Sequence, residues 1–335
     1  MRVLILGGTG LISTSITRLL LAQGCEVWHF NRGRSSPREP LADRVRHLVG
    51  DRKDRDALAH AVDTFRLASS GPSAVIDMIG FVPADIDTLV HACDGRVTRV
   101  LFCSTVDVYT KPYLAYPVRE DHPRGNGPTR YGRDKAVCED AFLHAGQRGA
   151  FEPVVLRPAH TYAEGHTLVH SFGWDNRLFT RLRDGKPVIC HGDGTSLWAA
   201  CHADDVAEAF VAALTSPRAP GKAYTLATDE WVTFDDYYRT LARAMGAPEP
   251  RLVHIPSTLL RAWAPHRAAC CDDNFKFSNV FDISLARQDL RFAPRIRLED
   301  GFRRVHRHLL AHGGFDERPD PDYDAVLERW ARVTA

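Results

Sequence analysis

Apolar side chains fall in short unbroken runs, separated by stretches with helical spacing. Residues 3–6 are wholly apolar and stop at Gly7-Gly8-Thr9-Gly10-Leu11-Ile12-Ser13. A helical pattern over 15–22 and a second strand over 25–30 follow. The alternation continues with a strand at 45–49, a helix at 54–65, a strand at 74–80, a helix at 83–93 and a strand at 97–103. Strands that are apolar throughout are covered on both faces, and strands alternating with helices pair in parallel. The chain therefore predicts an α/β fold with a doubly wound parallel sheet of Rossmann type. A helix opening at Tyr131 and running through Phe142, and a sixth strand at 154–158, extend the same pattern.

The second half is less regular. It predicts a helix at 172–183, a strand at 187–190, a helix from Asp204, a strand at 223–227 and helices at 234–245, 282–290 and 298–310. Residues 315–324 read as a surface tail before a short terminal helix. The expected division is a dinucleotide-binding domain over 1–165, a substrate-side segment over 166–200, a return to the first domain over 201–230, and a mainly substrate-side remainder over 231–335. The substrate-side part is expected to be a smaller, mixed α/β domain.

The turn after the first strand has the form that takes a dinucleotide pyrophosphate. Gly7 permits the tight turn, Gly10 has no side chain to block the phosphates, and the amides opening the next helix (Leu11 and Ile12) face them, with Thr9 beside. Ser13 replaces the third glycine of the usual spacing and is small enough for close packing. At the end of the second strand Asn31 stands where an acidic residue binds the adenosine ribose in NAD-preferring folds. Arg32 follows, and its guanidinium suits a 2'-phosphate, so NADP is expected, with NAD as the alternative. Asp51-Arg52 follows the third strand, with Asp51 placed to accept from the adenine amino group and Arg52 expected beside it among the cofactor contacts.

Bulk properties narrow the partners. The 335 residues are 25% charged, with a formal charge of +1, and give no reason to expect nucleic acid or a membrane surface. The first apolar run is cut short by glycines, so it predicts neither a signal peptide nor a membrane span. Eight cysteines show no paired ligand spacing, and no metal is expected. A reducing cytoplasm is the simplest setting.

Chemistry begins where the fifth strand stops, at Cys103-Ser104-Thr105-Val106-Asp107-Val108-Tyr109. Tyr131 and Lys135 are four apart and share one helix face. An ammonium beside the phenol is expected to ease loss of its proton. The phenolate then takes a proton from an alcohol as hydride leaves the same carbon. Thr105 is placed to bond the substrate oxygen, and Lys135 also faces the cofactor.

These residues resemble the extended short-chain dehydrogenase/reductases, the group of NAD(P)-dependent epimerases and dehydratases. The resemblance covers nearly the whole chain. It rests on Gly7-Gly8-Thr9-Gly10, Asp51, Ser104-Thr105 with Val108-Tyr109, Tyr131 with Lys135, Arg157-Pro158, Gly192-Asp193-Gly194, Asp204-Asp205-Val206 and Asp282-Ile283-Ser284. It implies a catalytic triad of Thr105, Tyr131 and Lys135, and a homodimer through the helices flanking Tyr131. His160 takes the place of an asparagine near the substrate, as a proton donor or a hydrogen-bonder. Trp198 stands where relatives hold a diphosphate with arginine, and Asp272-Asp273 stand near a second such position. Arg177, Arg181 or Lys276 are the candidates to compensate. An indole floor suits a sugar ring, a cyclitol or a nucleoside base. Val106-Asp107 breaks the Asp-Glu pair of sugar dehydratases.

The leading expectation is an NAD(P)-dependent epimerase that transiently oxidises a secondary alcohol of a sugar-like nucleoside, cyclitol or glycoside. The alternative is an NADP-dependent ketone reductase or alcohol dehydrogenase, with nucleotide-sugar dehydration disfavoured. Asp107, His160 and Cys103 are candidates for additional acid–base work, should a proton next to a ketone be exchanged. Thr105, His160 and Trp198 are the expected substrate contacts. The rival from another class is a non-catalytic nucleotide-binding or RNA-associated protein using Arg32, Arg34, Arg38 and Arg44.

Overall fold

The computed structural model of the protein describes residues 1–34, 41–68 and 70–335. Arg38 and most of the loop read between Ser35 and Arg44 lie outside the described residues. The first half alternates β1 (Arg2–Leu6), α1 (Leu11–Ala22), β2 (Glu26–Asn31), β3 (Val45–Val49), α2 (Arg55–Leu67), β4 (Ser73–Asp77), α3 (Pro83–Cys93) and β5 (Arg99–Cys103). It continues with α4 (Arg130–Gln147) and β6 (Glu152–Pro158). With the strand Lys222–Leu226, the six strands form one parallel sheet in the order Lys222–Leu226, β6, β5, β4, β1, β2, β3. The order reverses beside β1, so the carboxyl ends of β1 and β4 open a crevice there.

Val3, Leu4, Ile5 and Leu6 are fully buried. Each removes roughly 1.5–3 kcal/mol of apolar side chain from water. That burial holds β1 at the centre of the sheet, and it explains the missing alternation. Residues of one sheet face pack with α1 and the helix Ala203–Ala213, those of the other with α2, α3 and α4. Local signals set the helix starts. Asp54 accepts from the amides of Asp56 and Ala57 to open α2, and Thr129 accepts from Gly132 to open α4. Buried Arg157 of β6 binds Glu139 of α4 at 2.7–2.9 Å and the Tyr109 hydroxyl at 3.1 Å, fixing α4 against the sheet.

A third core gathers the substrate-side segments around Phe179, Trp198, Phe234, Tyr237, Phe275 and Phe302. Here the structure corrects several expectations. The helix expected from 172 starts at Arg177, because Val169–His170 and Gly173–Trp174 pair as a short hairpin. Gly173 has φ +121° in that hairpin, a conformation that excludes helix. The supposed surface tail is anchored. Asp320 is buried and takes two bonds from Arg267, Tyr323 is buried, and Pro321–Thr334 is a 14-residue helix. Three short strands, His160–Tyr162, Ala200–His202 and Leu252–Ile255, were not expected. The first two pair with each other, in parallel.

No helix among the described residues is long and apolar enough to cross a membrane.

Candidate active site

The crevice at the sheet's reversal is a cavity of about 530 Å³ lined by Gly7, Thr9, Gly10, Arg32, Asp51 and Phe81, among others. Gly7 has φ +84°, and a Cβ there would sit 2.4 Å from Ile79. The Ser13 hydroxyl donates to Gly7 O at 2.9 Å and accepts from Gly10 N at 2.8 Å. The serine in place of the third glycine thus closes the turn. The first turn of α1 leaves the amides of Leu11 and Ile12 without intrahelical acceptors, facing the same end. A glycine cradle at a helix start fits a dinucleotide pyrophosphate.

The nucleoside end is shaped by β2 and β3. Asn31 Oδ1 accepts from Gly33 N at 2.9 Å, which orients its side chain on the turn. Arg32 and Arg34 are exposed on the cavity rim. Asp51 lines the cavity and accepts from Lys53 N. Arg52 is different from its expected role. It is buried, and its guanidinium binds both oxygens of Asp77 at 2.9–3.1 Å. Asp77 in turn accepts from Ile79 N. Arg52 therefore shapes the loop after β4 and has no free fork for a phosphate. Arg44 bonds Leu21 O, away from the crevice, so the basic surface imagined for RNA is not assembled from Arg32, Arg34 and Arg44.

The candidate reacting groups lie at the end of β5 and the start of α4. Thr105 is buried, and its hydroxyl accepts from Asp107 N at 3.2 Å. Tyr131 stands in the first turn of α4. Gly132 lets that turn approach closely, since a Cβ there would lie 2.1 Å from Asp107 O. Lys135 is almost fully buried, and its Nζ donates to Gly80 O at 2.7 Å and Cys103 O at 2.6 Å. It lies 6.0 Å from the Tyr131 ring centroid. The expected easing of tyrosine ionisation does not hold in this state. Desolvation within the cleft, with Cys103 and Asp107 nearby, raises the Tyr131 pKa despite hydrogen bonding with Thr105. The phenol is 43% exposed over its whole surface, and the desolvation acts on the end that faces the cleft. Tyr131 therefore stays a proton donor at neutral pH. Burial lowers the Lys135 pKa, opposed chiefly by Cys103 and Asp77.

A second cavity, about 370 Å³, adjoins these groups and is lined by Thr105, Tyr131, His160, Trp174, Trp198 and Asn274, among others. None of its lining residues is lysine or arginine. Trp198 serves both packing and lining. It is 4% exposed and meets Phe275, Phe234 and His160 at 5.0–5.4 Å between ring centroids. Burial draws the His160 pKa to about 4, with Asp107 opposing. The ring is therefore neutral at physiological pH, with one nitrogen able to donate a hydrogen bond and the other to accept one. Its Nε2 and the Trp198 indole nitrogen are buried without hydrogen-bond partners among the described residues. Asp107 accepts from Lys111 at 3.2 Å and Asn274 at 3.3 Å.

The cations expected to compensate for lost arginines are engaged elsewhere. Arg177 binds Asp175 and Asp320, Arg181 binds Asp324 and Pro187 O, and Lys276 binds Asp272. Sequence reasoning missed Lys111, Asn274, Trp174 and Phe275. The last three are brought to the cavity by the 173–174 strand and the single π-turn Cys271–Phe275, neither of which has a local signature. Away from the cavity, Cys190 and His254 both hydrogen-bond Asp235.

Comparison with known proteins agrees with this architecture. The model of the NAD dependent epimerase/dehydratase family matches residues 3–227. The chain is 28% identical to 2'-dehydrokanamycin reductase of Streptomyces kanamyceticus over 308 residues, covering 91% of this chain and 82% of that one. It is 26% identical to the chloroplast stem-loop binding protein of 41 kDa b of Arabidopsis thaliana over 265 residues, covering 76% of this chain and 65% of that protein. The UDP-glucose 4-epimerase of Thermotoga maritima superposes with a TM-score of 0.74 at 19% identity, over 93% of this chain and 99% of that one. The chain belongs to the NAD dependent epimerase/dehydratase family and is an NAD(P)-linked enzyme of the oxidoreductase/epimerase type.

Proposed function

We propose that this enzyme interconverts a ketone and a secondary alcohol on a polyhydroxylated ring compound that carries no diphosphate, with net NADPH-dependent reduction as its reaction. The observation that carries the substrate reading is the second cavity. It joins Thr105 and Tyr131 to aromatic walls and contains no cation to hold a diphosphate. Bound NADPH supplies the hydride. Thr105 and Tyr131 hold the carbonyl oxygen, and the Tyr131 hydroxyl gives its proton to that oxygen as the alcohol forms. Lys135 secures the loop carrying Gly80 and the end of β5, and its charge stabilises the phenolate that remains. Arg32 and Arg34 on the rim support NADP over NAD.

Net reduction comes ahead of epimerisation because the 2'-dehydrokanamycin reductase of Streptomyces kanamyceticus is similar over most of both chains. Epimerisation by transient oxidation is the second reading, because it needs the same three residues. Absorbance at 340 nm separates them. Stoichiometric loss of NADPH with cyclic hydroxyketones is expected. Stereoisomer formation without net NADPH loss supports the epimerase instead. Tyr131→Phe lowers kcat by about 10²–10⁴-fold in either case, with NADPH binding unchanged. Efficient turnover of nucleotide sugars alone would overturn the substrate reading.

A further inference from the structure

Behind the substrate cavity lies a buried cation that the reaction does not use. The side chain of Lys111 is 2% exposed. Its Nζ donates to Asp107 Oδ1 at 3.2 Å and to Asn274 Oδ1 at 2.6 Å. Lysine only donates, so the Asn274 atom facing it must be the carbonyl oxygen. Asn279 Nδ2 donates to that same oxygen at 3.3 Å and to Phe277 O at 3.0 Å, while Asn279 Oδ1 accepts from Tyr113 at 2.9 Å. Asn279 is thereby used up, and the Asn274 amide has one orientation.

The remaining capacity follows by count. Asn274 Nδ2 has two protons, of which one goes to Asp107 Oδ1 at 3.3 Å. Asp107 Oδ1 takes both Lys111 and Asn274, while its Oδ2 has no partner among the described residues. Both residues line the cavity that holds Thr105 and Tyr131. One N–H donor and one carboxylate acceptor are left side by side, with Lys111 cancelling the carboxylate's charge. A hydroxyl group, which donates and accepts at once, matches that pair. An ionised carboxylate or phosphate does not, because it has no proton to give to the Asp107 oxygen. The π-turn that carries Asn274 is a geometry that recurs at functional sites.

We infer that Asn274 and Asp107, locked by Lys111, read a hydroxyl on a carbon neighbouring the reacting one and set the enzyme's substrate specificity. The inference rests on the alcohol–ketone chemistry proposed for Tyr131. Lys111 is a positioning residue, since it acts through the other two.

The test compares 2-hydroxycyclohexanone with cyclohexanone as substrates of the NADPH-loaded full chain. Wild type favours the hydroxylated ketone by at least about tenfold in kcat/KM, as expected when a polar site is left unpaired by the analogue. Asn274→Leu brings the ratio to within about threefold with unchanged NADPH affinity. Lys111→Met moves the ratio the same way without touching either ketone. Asn274→Asp, which keeps the shape but replaces the donor, covers the case in which the leucine variant does not fold, and it also loses the preference. Equal loss for both ketones in these variants, or an unchanged ratio, overturns the inference. Should neither ketone consume NADPH, the proposed reaction fails, and ligand-observed NMR of cyclohexane-1,2-diol against cyclohexanol then reads the pair by itself. Preferential binding of the diol that Asn274→Leu abolishes upholds the inference, and equal binding by wild type overturns it.

Discussion

Removal of the Arg32 guanidinium tests the cofactor assignment. Arg32 lies on the rim of the dinucleotide cavity, exposed, and makes no ion pair with the described residues. Asn31 carries no charge that would repel a 2'-phosphate, and its carbonyl oxygen accepts from Gly33 N. Unit charges about 4 Å apart attract by ~1 kcal/mol in water-like surroundings and ~4 kcal/mol at an effective dielectric near 20. Exposure puts Arg32 towards the lower value, ~1–2 kcal/mol, which is about 5- to 30-fold in Kd. Arg32→Ala is therefore expected to weaken NADPH by that factor and NADH by less than about twofold. Arg34→Ala in the same chain adds to the loss, because Arg34 lines the same rim.

Titration of cofactor fluorescence gives both constants on free enzyme. Salt supplies an independent check, since screening shortens from about 10 Å at 0.1 M to about 3 Å at 1 M ionic strength. The wild-type preference for NADPH should shrink with added salt, and that of the double variant should not move. Equal losses for the two cofactors, or a wild-type preference for NADH, would refute the reasoning.

Two further outcomes follow from burial and close approach. Burial draws His29, His160 and His191 to about 4 from 6.5, so the unfolded chain takes up their protons first. Stability is then intact above about pH 6.5 and falls as pH drops towards 4, by at most roughly 3 kcal/mol per histidine. Urea midpoints measured across that window should decline, and His160→Gln should flatten the decline; an identical slope in the variant contradicts a buried neutral His160. In Gly132→Ala the new methyl would lie 2.1 Å from Asp107 O, so the start of α4 must shift and take Tyr131 with it. A displacement on the order of 1 Å costs about 10²-fold in turnover, so kcat/KM should fall steeply while NADPH affinity holds; unchanged turnover shows that the approach is not needed.

The cofactor half of the molecule was legible because its signals are local. Uninterrupted apolar strands report burial on two faces, and Gly7, Gly10 and Ser13 act within seven residues of one another. Thr129 and Asp54 announce the helices they cap. The substrate half was legible only as composition. The π-turn at 271–275 and the hairpin ending at Trp174 have no periodicity to read, and they reach the cavity from more than 60 residues away from Thr105 in sequence. Ion pairing hides in the same way. Arg52 was expected among the cofactor contacts, yet Asp77, 25 residues on, claims its guanidinium. Arg177 and Arg181 looked available because their acidic partners Asp320 and Asp324 belong to the terminal segment.

The same separation explains how one fold can change substrates without losing its chemistry. Thr105, Tyr131 and Lys135 are held by β5 and α4, which are packed on the sheet through Gly132, Arg157 and Glu139. Much of the rest of the cavity wall, Trp174, Trp198, Asn274 and Phe275, sits on short elements beyond residue 170, tied to that frame at Lys111. A change in the π-turn alters what is bound, and the hydrogen bonds from Lys135 to Gly80 and Cys103 are untouched. On the proposed reading, the absence of diphosphate-binding arginines removes one handle, and the Asn274–Asp107 pair beside Thr105 supplies another. On this argument, exchanging residues in the 271–275 turn should move substrate preference with little effect on cofactor choice, whereas exchanging Arg32 should do the reverse.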